Sequence, residues 1–317
     1  MRVLVTGANS FIGSALLARG VLDGALSLRG SVRRSVSDLP GGVETVRVGD
    51  LAPETEWSDA LRGVDAIVHT AARVHIIREA ATDPLAEFRR TNVAGTLSLA
   101  RQAADIGVRR LIFISSVGVN GAETFGVPFT AMDRAAPHSP YSISKYEAEL
   151  GLKQIAEETG LEVVIIRPPL VYGPNAKGNF NRLLKIVHRG IPLPLGAIQN
   201  RRSLVALDNL VDLILTCLDH PAGANKTFLV SDGEDISTTD LVRRTAAALG
   251  RPARLMRVPP VILRTGARFL GRADLAQRLC GSLQVDINYT REVLGWIPPV
   301  SVNAALIQAA RHFLANL

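Results

Sequence analysis

The chain has 317 residues, of which 47% are hydrophobic and 21% are charged, a balance typical of a folded globular protein and unlike that of a disordered chain. This length suits two average domains, or one α/β unit with an appended lobe. Long uninterrupted apolar runs are absent and the N-terminus lacks a signal-peptide pattern, so we expect a cytoplasmic protein with no membrane partner.

The net charge of +7 suits either nucleic acid or an anionic small molecule. The arginines are spread along the chain and form no basic tail, so we expect no nucleic-acid partner and favour a diphosphate-bearing ligand. The two cysteines, Cys217 and Cys280, lack neighbours at metal-ligand spacing. We therefore expect free thiols, with neither a disulfide nor a metal site.

In chain order, short β-branched runs alternate with longer amphipathic stretches, as successive βα units do. This pattern predicts an α/β fold, with a Rossmann-type doubly wound parallel sheet. The six predicted strands are Arg2–Thr6, Leu26–Val32, Glu44–Val48, Ala66–His69, Leu111–Ser115 and Glu162–Arg167. Beyond these strands prolines interrupt the alternation, so we predict an NAD(P)-binding domain over residues 1–167. Residues 168–317 would form a smaller α/β substrate lobe, with some segments returning to the first domain.

A glycine-containing turn follows the first strand and precedes a helix predicted from Phe11 to Asp23. The glycines permit a tight turn and close approach of a pyrophosphate, which the helix N-terminus attracts. Ser10 stands where a Gly-x-x-Gly-x-x-Gly pattern has its middle glycine, and an ordinary strand-to-helix turn has a similar signature. The predicted cofactor contacts in this turn are Gly7, Asn9, Ser10, Phe11, Ile12 and Gly13.

The second strand leads into Arg33 and Arg34, where an NAD-binding fold usually has an acid that binds both ribose hydroxyls. A guanidinium favours a 2′-phosphate, so NADP(H) is the preferred cofactor and NAD(H) the alternative. Solvated surface arginines are the other interpretation. Past the third strand, Asp50 and Leu51 are predicted to contact the adenine, although Asp50 also suits a helix cap.

Tyr141 and Lys145 are four residues apart at the start of a predicted helix, which places them on one face. The ammonium of Lys145 is expected to lower the pKa of Tyr141 towards neutrality, so that the phenol can exchange a proton with a substrate oxygen. Ser115 and Ser116 end the preceding strand, where a hydroxyl can reach the same oxygen. Each motif alone also occurs on an ordinary helix surface or turn, but their order favours a catalytic set of Ser116, Tyr141 and Lys145.

Together these motifs resemble the extended short-chain dehydrogenases/reductases of the nucleotide-sugar epimerase/dehydratase group, over nearly the full chain. The segments that carry the resemblance are the glycine turn, Asp50, His69–Ala72, Asn92, Ser116, Tyr141 with Lys145, Arg167–Pro174, Arg202 and Leu294–Pro298. The resemblance implies further cofactor contacts at Thr70, Ala71, Ala72, Asn92, Ser115, Tyr141, Lys145 and Pro168. It also implies that Asn179 and Arg202 bind the diphosphate of the substrate, with Arg201 as the alternative to Arg202.

The chain departs from the sugar dehydratases of this group after Ser116, where Val117 and Gly118 replace two acids. Without those carboxylates we expect oxidation and reduction at one carbon instead of dehydration. The preferred function is NADPH-dependent reduction of a UDP-4-keto-6-deoxy-N-acetylhexosamine in surface-polysaccharide sugar synthesis. The alternative is a UDP-hexose 4-epimerase, acting on UDP-glucose or UDP-GlcNAc, and a remote one is an inactive dinucleotide sensor.

The resemblance also implies a homodimer. Related enzymes pair through two helices, which correspond here to the regions Asp83–Gly107 and Tyr141–Gly160. Both predicted helices have enough apolar positions for such an interface, although those positions also suit a buried core.

Overall fold

A computed structural model describes residues 1–33, 39–74 and 83–317. Its main sheet has seven parallel strands in the order β3-β2-β1-β4-β5-β6-β9, which is a doubly wound arrangement. The strands are β1 (Arg2–Thr6), β2 (Ser27–Val32), β3 (Glu44–Arg47), β4 (Ala66–His69), β5 (Arg110–Ile114), β6 (Glu162–Arg167) and β9 (Thr227–Leu229). This topology confirms the predicted Rossmann-type sheet.

The seventh strand, β9, was not predicted from the sequence. It lies far beyond the proposed boundary at Arg167, and it pairs in parallel with β6 at the edge of the sheet. Three residues are too few for an alternating apolar pattern to identify a strand. The second half of the chain therefore completes the sheet of the first half.

Helices cover both faces of the sheet because parallel strands need crossover connections that pack against it. Apolar side chains from β1, β4, β5 and β6 alternate between two buried clusters, one on each face. The helices of this part of the chain are α1 (Phe11–Asp23), α2 (Ser58–Leu61), α3 (Pro84–Phe88), a π-helix (Arg89–Gly95), α4 (Thr96–Ile106), a 3₁₀ turn (Val117–Val119), α5 (Pro140–Thr159) and α7 (Leu207–Asp219).

A smaller lobe with its own apolar cluster is built around a second sheet, in the order β10-β8-β7. Its elements are β7 (Leu170–Tyr172), α6 (Asn179–His188), β8 (Arg202–Ala206), β10 (Asp235–Ile236), α8 (Thr238–Ala248), α9 (Pro260–Phe269), α10 (Ala273–Cys280), α11 (Asn288–Leu294) and α12 (Val302–Ala315). This is the smaller α/β lobe that the sequence predicted. Within the described ranges, no helix combines the length and apolarity that a bilayer crossing demands.

Candidate active site

The turn between β1 and α1 is closed by two glycines that leave no room for a side chain. Gly7 has φ +67°, and a Cβ there would lie 3.0 Å from the backbone of Ala71. A Cβ on Gly13 would lie 2.3 Å from the carbonyl oxygen of Gly7. The loop after β1 thus lies directly on the loop after β4, at the carboxyl edge of the sheet where cofactors of such folds bind.

Ser10 ties these two loops together. It is the N-cap of α1: its Oγ accepts from the N–H of Gly13 at 3.0 Å and lies 3.0 Å from Oγ1 of Thr70. Thr70 in turn donates to the carbonyl oxygen of Thr6 at 2.6 Å. The serine that replaces the middle glycine of the pattern therefore fixes the turn in place.

The beginning of α1 suits a dinucleotide pyrophosphate. Phe11 and Ile12 are its first two residues, so their N–H groups lack carbonyl partners within the helix. Both residues are half-buried beside the tight Gly7 turn. Anionic oxygens are favoured at such a helix terminus, and the glycine turn lets them approach the backbone closely.

Arg33 and Asp50 meet at the ends of β2 and β3. The guanidinium donates to the Asp50 carboxylate at 3.1 Å, and both side chains are largely exposed, at 77% and 81%. The two residues predicted to contact different parts of the adenosine are thus neighbours and already paired. Arg34, also predicted to bind the cofactor, lies outside the described residues.

The structure distinguishes the two serines at the end of β5. The Ser115 hydroxyl donates to Oε1 of Glu149 at 2.5 Å, and its N–H donates to the carbonyl of Ile166 at 2.8 Å. With its hydroxyl proton and its N–H both committed, Ser115 offers acceptor atoms, among them its carbonyl oxygen, for the predicted cofactor contact. Ser116 is half-exposed, and its Oγ accepts from the N–H of Gly118 at 3.1 Å, which leaves the hydroxyl proton free to point elsewhere.

Tyr141 lies in the first turn of α5, next to the Ser116 turn. The helix begins with a capping box between Ser139 and Ser142, which fixes the direction of this first turn. A Cβ on Gly118 would lie 3.2 Å from Cβ of Ser142 and 3.3 Å from Oγ of Ser116, so these elements touch. The absence of a side chain at position 118 allows Ser116 to lie against the start of the tyrosine helix.

Lys145 follows one turn later and is 2% exposed. Its Nζ lies 3.9 Å from the ring centroid of Phe113, whose ring also stacks on His69 with centroids 5.8 Å apart. The ammonium thus rests on an aromatic face, a favourable cation–π arrangement. His69 binds Oγ1 of Thr6 at 2.7 Å and Oγ1 of Thr96 at 3.0 Å, and burial lowers its pKa to about 3, so the imidazole is neutral.

The expected lowering of the tyrosine pKa is wrong for this structure. Burial raises the pKa of Tyr141 to about 12, and burial lowers the pKa of Lys145 to about 7, opposed by the charge of Glu149. Desolvation disfavours the charged form of each group, which is the phenolate of Tyr141 and the ammonium of Lys145. Tyr141 is therefore a protonated phenol at neutral pH, which suits a proton donor.

A buried ion pair lies one turn beyond Lys145 and was not predicted as such from the sequence. Glu149 binds Arg167 through Nε at 2.9 Å and Nη2 at 2.5 Å, and both side chains are almost fully buried. Arg167 also donates to Oδ1 of Asn120 at 3.0 Å. Because Glu149 accepts from Ser115 as well, this pair holds the end of β5 against α5 and β6.

Asn92 supports the same helix from the other side. It lies in the π-helix, is 1% exposed, and exchanges hydrogen bonds with the backbone of Arg73, at 2.8 Å and 3.0 Å. Its Nδ2 also donates to Oγ of Ser144, which donates to the carbonyl of Tyr141 at 2.8 Å. Each amide atom of Asn92 thus has a partner within the protein, and the side chain orients the loop after β4 relative to Tyr141.

The remaining predicted cofactor residues lie along the same edge. Ala71 and Ala72 are half-exposed on the loop after β4, and Leu51 lies against Gly95, where a Cβ would be 2.9 Å from Cγ of Leu51. The carbonyl of Pro168 accepts from the N–H of Val117 at 3.0 Å, which leaves one of its two lone pairs.

The two predicted substrate residues lie in the smaller lobe. Asn179 is exposed as the first residue of α6. Arg202 begins β8, is half-buried, and donates to the carbonyl of Gly281 at 3.1 Å. Burial lowers the pKa of Arg202, opposed by the charge of Glu123. Asn179 and Arg202 lie on α6 and β8 of the smaller lobe, whereas Tyr141 and Lys145 lie on α5 beside the main sheet, so a ligand that binds all of them would span the two lobes.

Comparisons with known proteins agree with this geometry. Residues 3–231 match the model of the NAD dependent epimerase/dehydratase family. A UDP-glucose 4-epimerase of Vibrio cholerae is 45% identical over 314 residues, covering 98% of this chain and 95% of the relative. The predicted resemblance is thus confirmed.

Solved structures share the fold. A UDP-glucuronic acid 4-epimerase from Bacillus cereus, in complex with NAD, superposes with a TM-score of 0.80 at 20% identity, covering 99% of this chain and 96% of that one. A dTDP-glucose 4,6-dehydratase from Streptomyces venezuelae, with NAD bound, gives a TM-score of 0.78 at 26% identity, covering 100% and 98%. From the family match and these relatives, the chain belongs to the NAD dependent epimerase/dehydratase family, as an enzyme of the extended short-chain dehydrogenase/reductase type.

Proposed function

We propose that this chain is a nucleotide-sugar 4-epimerase that acts on a UDP-hexose such as UDP-glucose or UDP-GlcNAc. The observation that carries the proposal is the grouping of Ser116 with the Tyr141 and Lys145 helix, where Val117 and Gly118 stand in place of further acids. The set suits oxidation and reduction at one carbon, and it offers no acid for removing water at a neighbouring carbon. The 45% identity to a UDP-glucose 4-epimerase favours epimerisation over the reductase that we preferred from the sequence alone.

In this proposal each catalytic side chain has a distinct task. The Ser116 hydroxyl donates a hydrogen bond to the sugar O4, since its oxygen already accepts one from the N–H of Gly118. As C4 is oxidised, the phenolate form of Tyr141 takes the O4 proton, and the resulting phenol returns it when the other face of the ketone is reduced. The positive charges of protonated Lys145 and of a bound oxidised nicotinamide would favour this phenolate against the burial that raises its pKa. The bound nicotinamide supplies the hydride chemistry at C4. Lys145 binds the nicotinamide ribose and brings a positive charge near the phenol when it is protonated.

The proposed contacts to the dinucleotide use backbone and side-chain groups along the sheet edge. The N–H groups at the start of α1 would bind the pyrophosphate, and Ala71 and Ala72 would lie under it. Asp50 and Leu51 would contact the adenosine, and the free lone pair of Pro168 would accept from the nicotinamide amide. Asn92 would act through Tyr141 and the loop after β4, by the hydrogen bonds described above. Asn179 and Arg202 would bind the substrate diphosphate, for which a guanidinium is well shaped.

The second candidate is the NADPH-dependent reductase of a UDP-4-keto-6-deoxy-N-acetylhexosamine, in surface-polysaccharide sugar synthesis. It is favoured by Arg33, which lies where an NAD-specific fold would have an acid. The ion pair with Asp50 weakens this argument because a 2′-phosphate would have to share or displace the Asp50 carboxylate. We therefore assign NAD(H) to the epimerase and keep NADP(H) for the reductase.

Product analysis separates these functions. The purified chain is incubated with UDP-glucose or UDP-GlcNAc, and separately with NADPH and UDP-4-keto-6-deoxy-GlcNAc, and products are resolved by chromatography and mass spectrometry. Interconversion of 4-epimers without net loss of cofactor supports the epimerase. Stoichiometric NADPH oxidation with a 6-deoxy product establishes the reductase instead. No reaction with either substrate, together with tight dinucleotide binding, would favour the inactive sensor.

The proposed homodimer uses the outer surfaces of α4 and α5. Leu150 on α5 and Ile106 on α4 are 48% and 46% exposed. The two helices pack closely, since a Cβ on Gly151 would lie 2.6 Å from Leu97. A Leu150→Arg variant that sediments as a monomer, while the unmodified chain sediments as a dimer, would support this interface.

A further inference from the structure

The segment from Arg251 to Arg278 forms an exposed helical hairpin on the smaller lobe, which we call the basic hairpin. It consists of the loop between α8 and α9, followed by α9 and α10, and these two helices pack against each other. No residue of α9 is buried, which is unusual for a ten-residue helix of a globular chain. Leu263 and Ala267, one turn apart, are half-buried, so α9 rests on the protein by a narrow stripe.

The outer surface of the basic hairpin is apolar. Its large exposed hydrophobic residues are Met256 (49%), Val261 (73%), Ile262 (60%), Phe269 (87%), Leu270 (77%) and Leu275 (48%). Ile262 and Phe269 are seven residues apart and share one face of α9. Single exposed apolar side chains are ordinary, but a cluster of this size in one short segment indicates a surface that contacts something.

The basic hairpin is also strongly positive. It contains seven exposed arginines and a single acidic residue, Asp274, in a chain whose net charge is +7. The arginines are Arg251, Arg254, Arg257, Arg264, Arg268, Arg272 and Arg278. Of these, Arg264 is paired with Glu123 at 3.8 Å, and within the described parts of the chain no carboxylate forms an ion pair with the other six. The arginines are thus more clustered in this lobe than the sequence analysis supposed.

We propose that the basic hairpin docks on the surface of an anionic phospholipid bilayer. Exposed aliphatic and aromatic side chains interleaved with arginines are the composition of helices that lie in a membrane interface. The apolar side chains would enter the acyl boundary while the arginines contact lipid phosphates. Such binding needs no long apolar run. The expectation of no membrane partner rested on the absence of such a run, and it does not apply to a helix that lies in the interface.

Charge and apolar surface together favour an anionic bilayer over a second copy of the chain or a nucleic acid as the partner of the basic hairpin. A second copy docking through the same face would oppose two sets of unpaired arginines, which is repulsive. A nucleic acid would match the charge but would leave Val261, Ile262 and Leu270 without apolar partners. An anionic bilayer provides both the phosphates and the apolar layer.

Docking would place the membrane next to the smaller lobe's proposed substrate residue. Helix α10 ends at Cys280, whose carbonyl accepts from Arg264 at 3.2 Å, and the next carbonyl, that of Gly281, accepts from Arg202. Arg264 of the basic hairpin and Arg202 therefore donate hydrogen bonds to the carbonyls of two consecutive residues. The docking itself does not depend on which reaction the enzyme catalyses.

Vesicle flotation with the full-length purified chain tests the proposal. Vesicles of phosphatidylcholine alone are compared with vesicles that also contain phosphatidylglycerol, at low and high salt. We expect flotation with the anionic vesicles at low salt, release at high salt, and none with phosphatidylcholine alone. The triple variant Arg257→Gln, Arg268→Gln and Arg272→Gln should bind roughly 100-fold more weakly. Phe269→Ser with Leu270→Ser should weaken binding by roughly tenfold or more.

Matched variants control for general charge and hydrophobicity. The triple change Arg47→Gln, Arg62→Gln and Arg311→Gln removes the same charge from exposed positions elsewhere, and Leu22→Ser removes a residue that is 83% exposed on α1. Both should float like the unmodified chain. Absence of flotation with anionic vesicles, or equal loss with the control variants, would overturn the proposal. The proposal would also be overturned if the unmodified chain bound no vesicles and formed a dimer that dissociates in the Phe269→Ser, Leu270→Ser variant.

Discussion

Helix α5 carries buried charged side chains in two successive turns, Lys145 and Glu149, and the partners that surround these two charges differ. Glu149 accepts hydrogen bonds from a bidentate arginine and a serine hydroxyl, and that arginine also donates to a buried asparagine. Lys145, one turn earlier, rests on the Phe113 ring, and the carboxylate of Glu149, one turn further along α5, is already bound to Arg167. Removing one partner of a fully matched buried pair destabilises the fold, whereas a buried charge without a dedicated carboxylate is available to a ligand.

Removing the phenol at the first turn should have the largest effect on activity. We expect Tyr141→Phe to lower turnover by about 10²–10⁴-fold, because the proposed proton exchange with O4 is lost. The free energy of unfolding should hardly change. Steady-state assays with the reactive UDP-sugar measure the loss, and Tyr146→Phe, five residues further along the same helix, is the matched control. Turnover like that of the unmodified chain would remove Tyr141 from the mechanism.

Removing the charge at the second turn should instead affect stability. Glu149→Gln keeps the shape of the side chain but leaves the buried Arg167 without its counter-charge, which costs about 3–5 kcal/mol in the free energy of unfolding. Urea denaturation measures the change. The control is Glu158→Gln, whose exposed pair with Arg101 should contribute less than about 1 kcal/mol. Equal effects of the two substitutions would contradict the distinction between the turns of α5.

The lowered pKa of Lys145 predicts a pH dependence of stability with a definite sign. The folded chain releases this proton near pH 7, while the unfolded chain holds it up to pH 10.5. Between these values the unfolded state binds more protons, so Lys145 makes the free energy of unfolding rise with pH and lowers it most below pH 7. Lys145→Met should therefore be more stable at neutral pH and should lose this slope.

Denaturation at a series of pH values tests that sign. Lys153→Met, an exposed position on the same helix, is the control and should keep the slope of the unmodified chain. A Lys145→Met variant that is less stable at neutral pH would mean that the ammonium is stabilised in the fold, contrary to its environment here.

The exposed pair at the adenosine end should produce the smallest effect. Because Arg33 and Asp50 are both solvent-exposed, their interaction is weak and screened by salt. We expect Arg33→Gln to weaken NADP(H) binding by only a few-fold and to leave NAD(H) binding unchanged, as measured by fluorescence titration. Unchanged binding of both cofactors would show that this arginine does not contact the 2′ position.

The sequence predicted the elements whose signal is local. The strand, glycine turn and helix around Gly7 and Gly13 follow from short-range patterns, as does the four-residue spacing of Tyr141 and Lys145. The direction of the tyrosine pKa shift was predicted wrongly, because spacing reveals proximity but not desolvation. The Glu149–Arg167 pair was missed because its partners lie 18 residues apart on different elements, although Glu149 lies four residues after Lys145 and so shares its face of α5.

Exposure is the other quantity that the sequence did not reveal. A helix of a globular protein usually buries an apolar stripe, yet Phe269 of α9 is 87% exposed. Which face of an amphipathic helix is covered depends on elements far away in the chain. The basic hairpin therefore depends on the packing of the whole smaller lobe and not on the local sequence of α9.

The late arrival of β9 bears on how the protein can be synthesised. Until Thr227–Leu229 leaves the ribosome, β6 is an edge strand whose backbone groups have no partner on one side. The buried guanidinium of Arg110 likewise donates to the carbonyls of Cys217 and His220, at 2.7 Å and 3.0 Å, and it lacks these partners until they have been synthesised. A fragment ending at residue 167 would expose both, so it would be prone to edge-to-edge aggregation. The nascent chain consequently completes its main sheet only after 229 of its 317 residues have been translated.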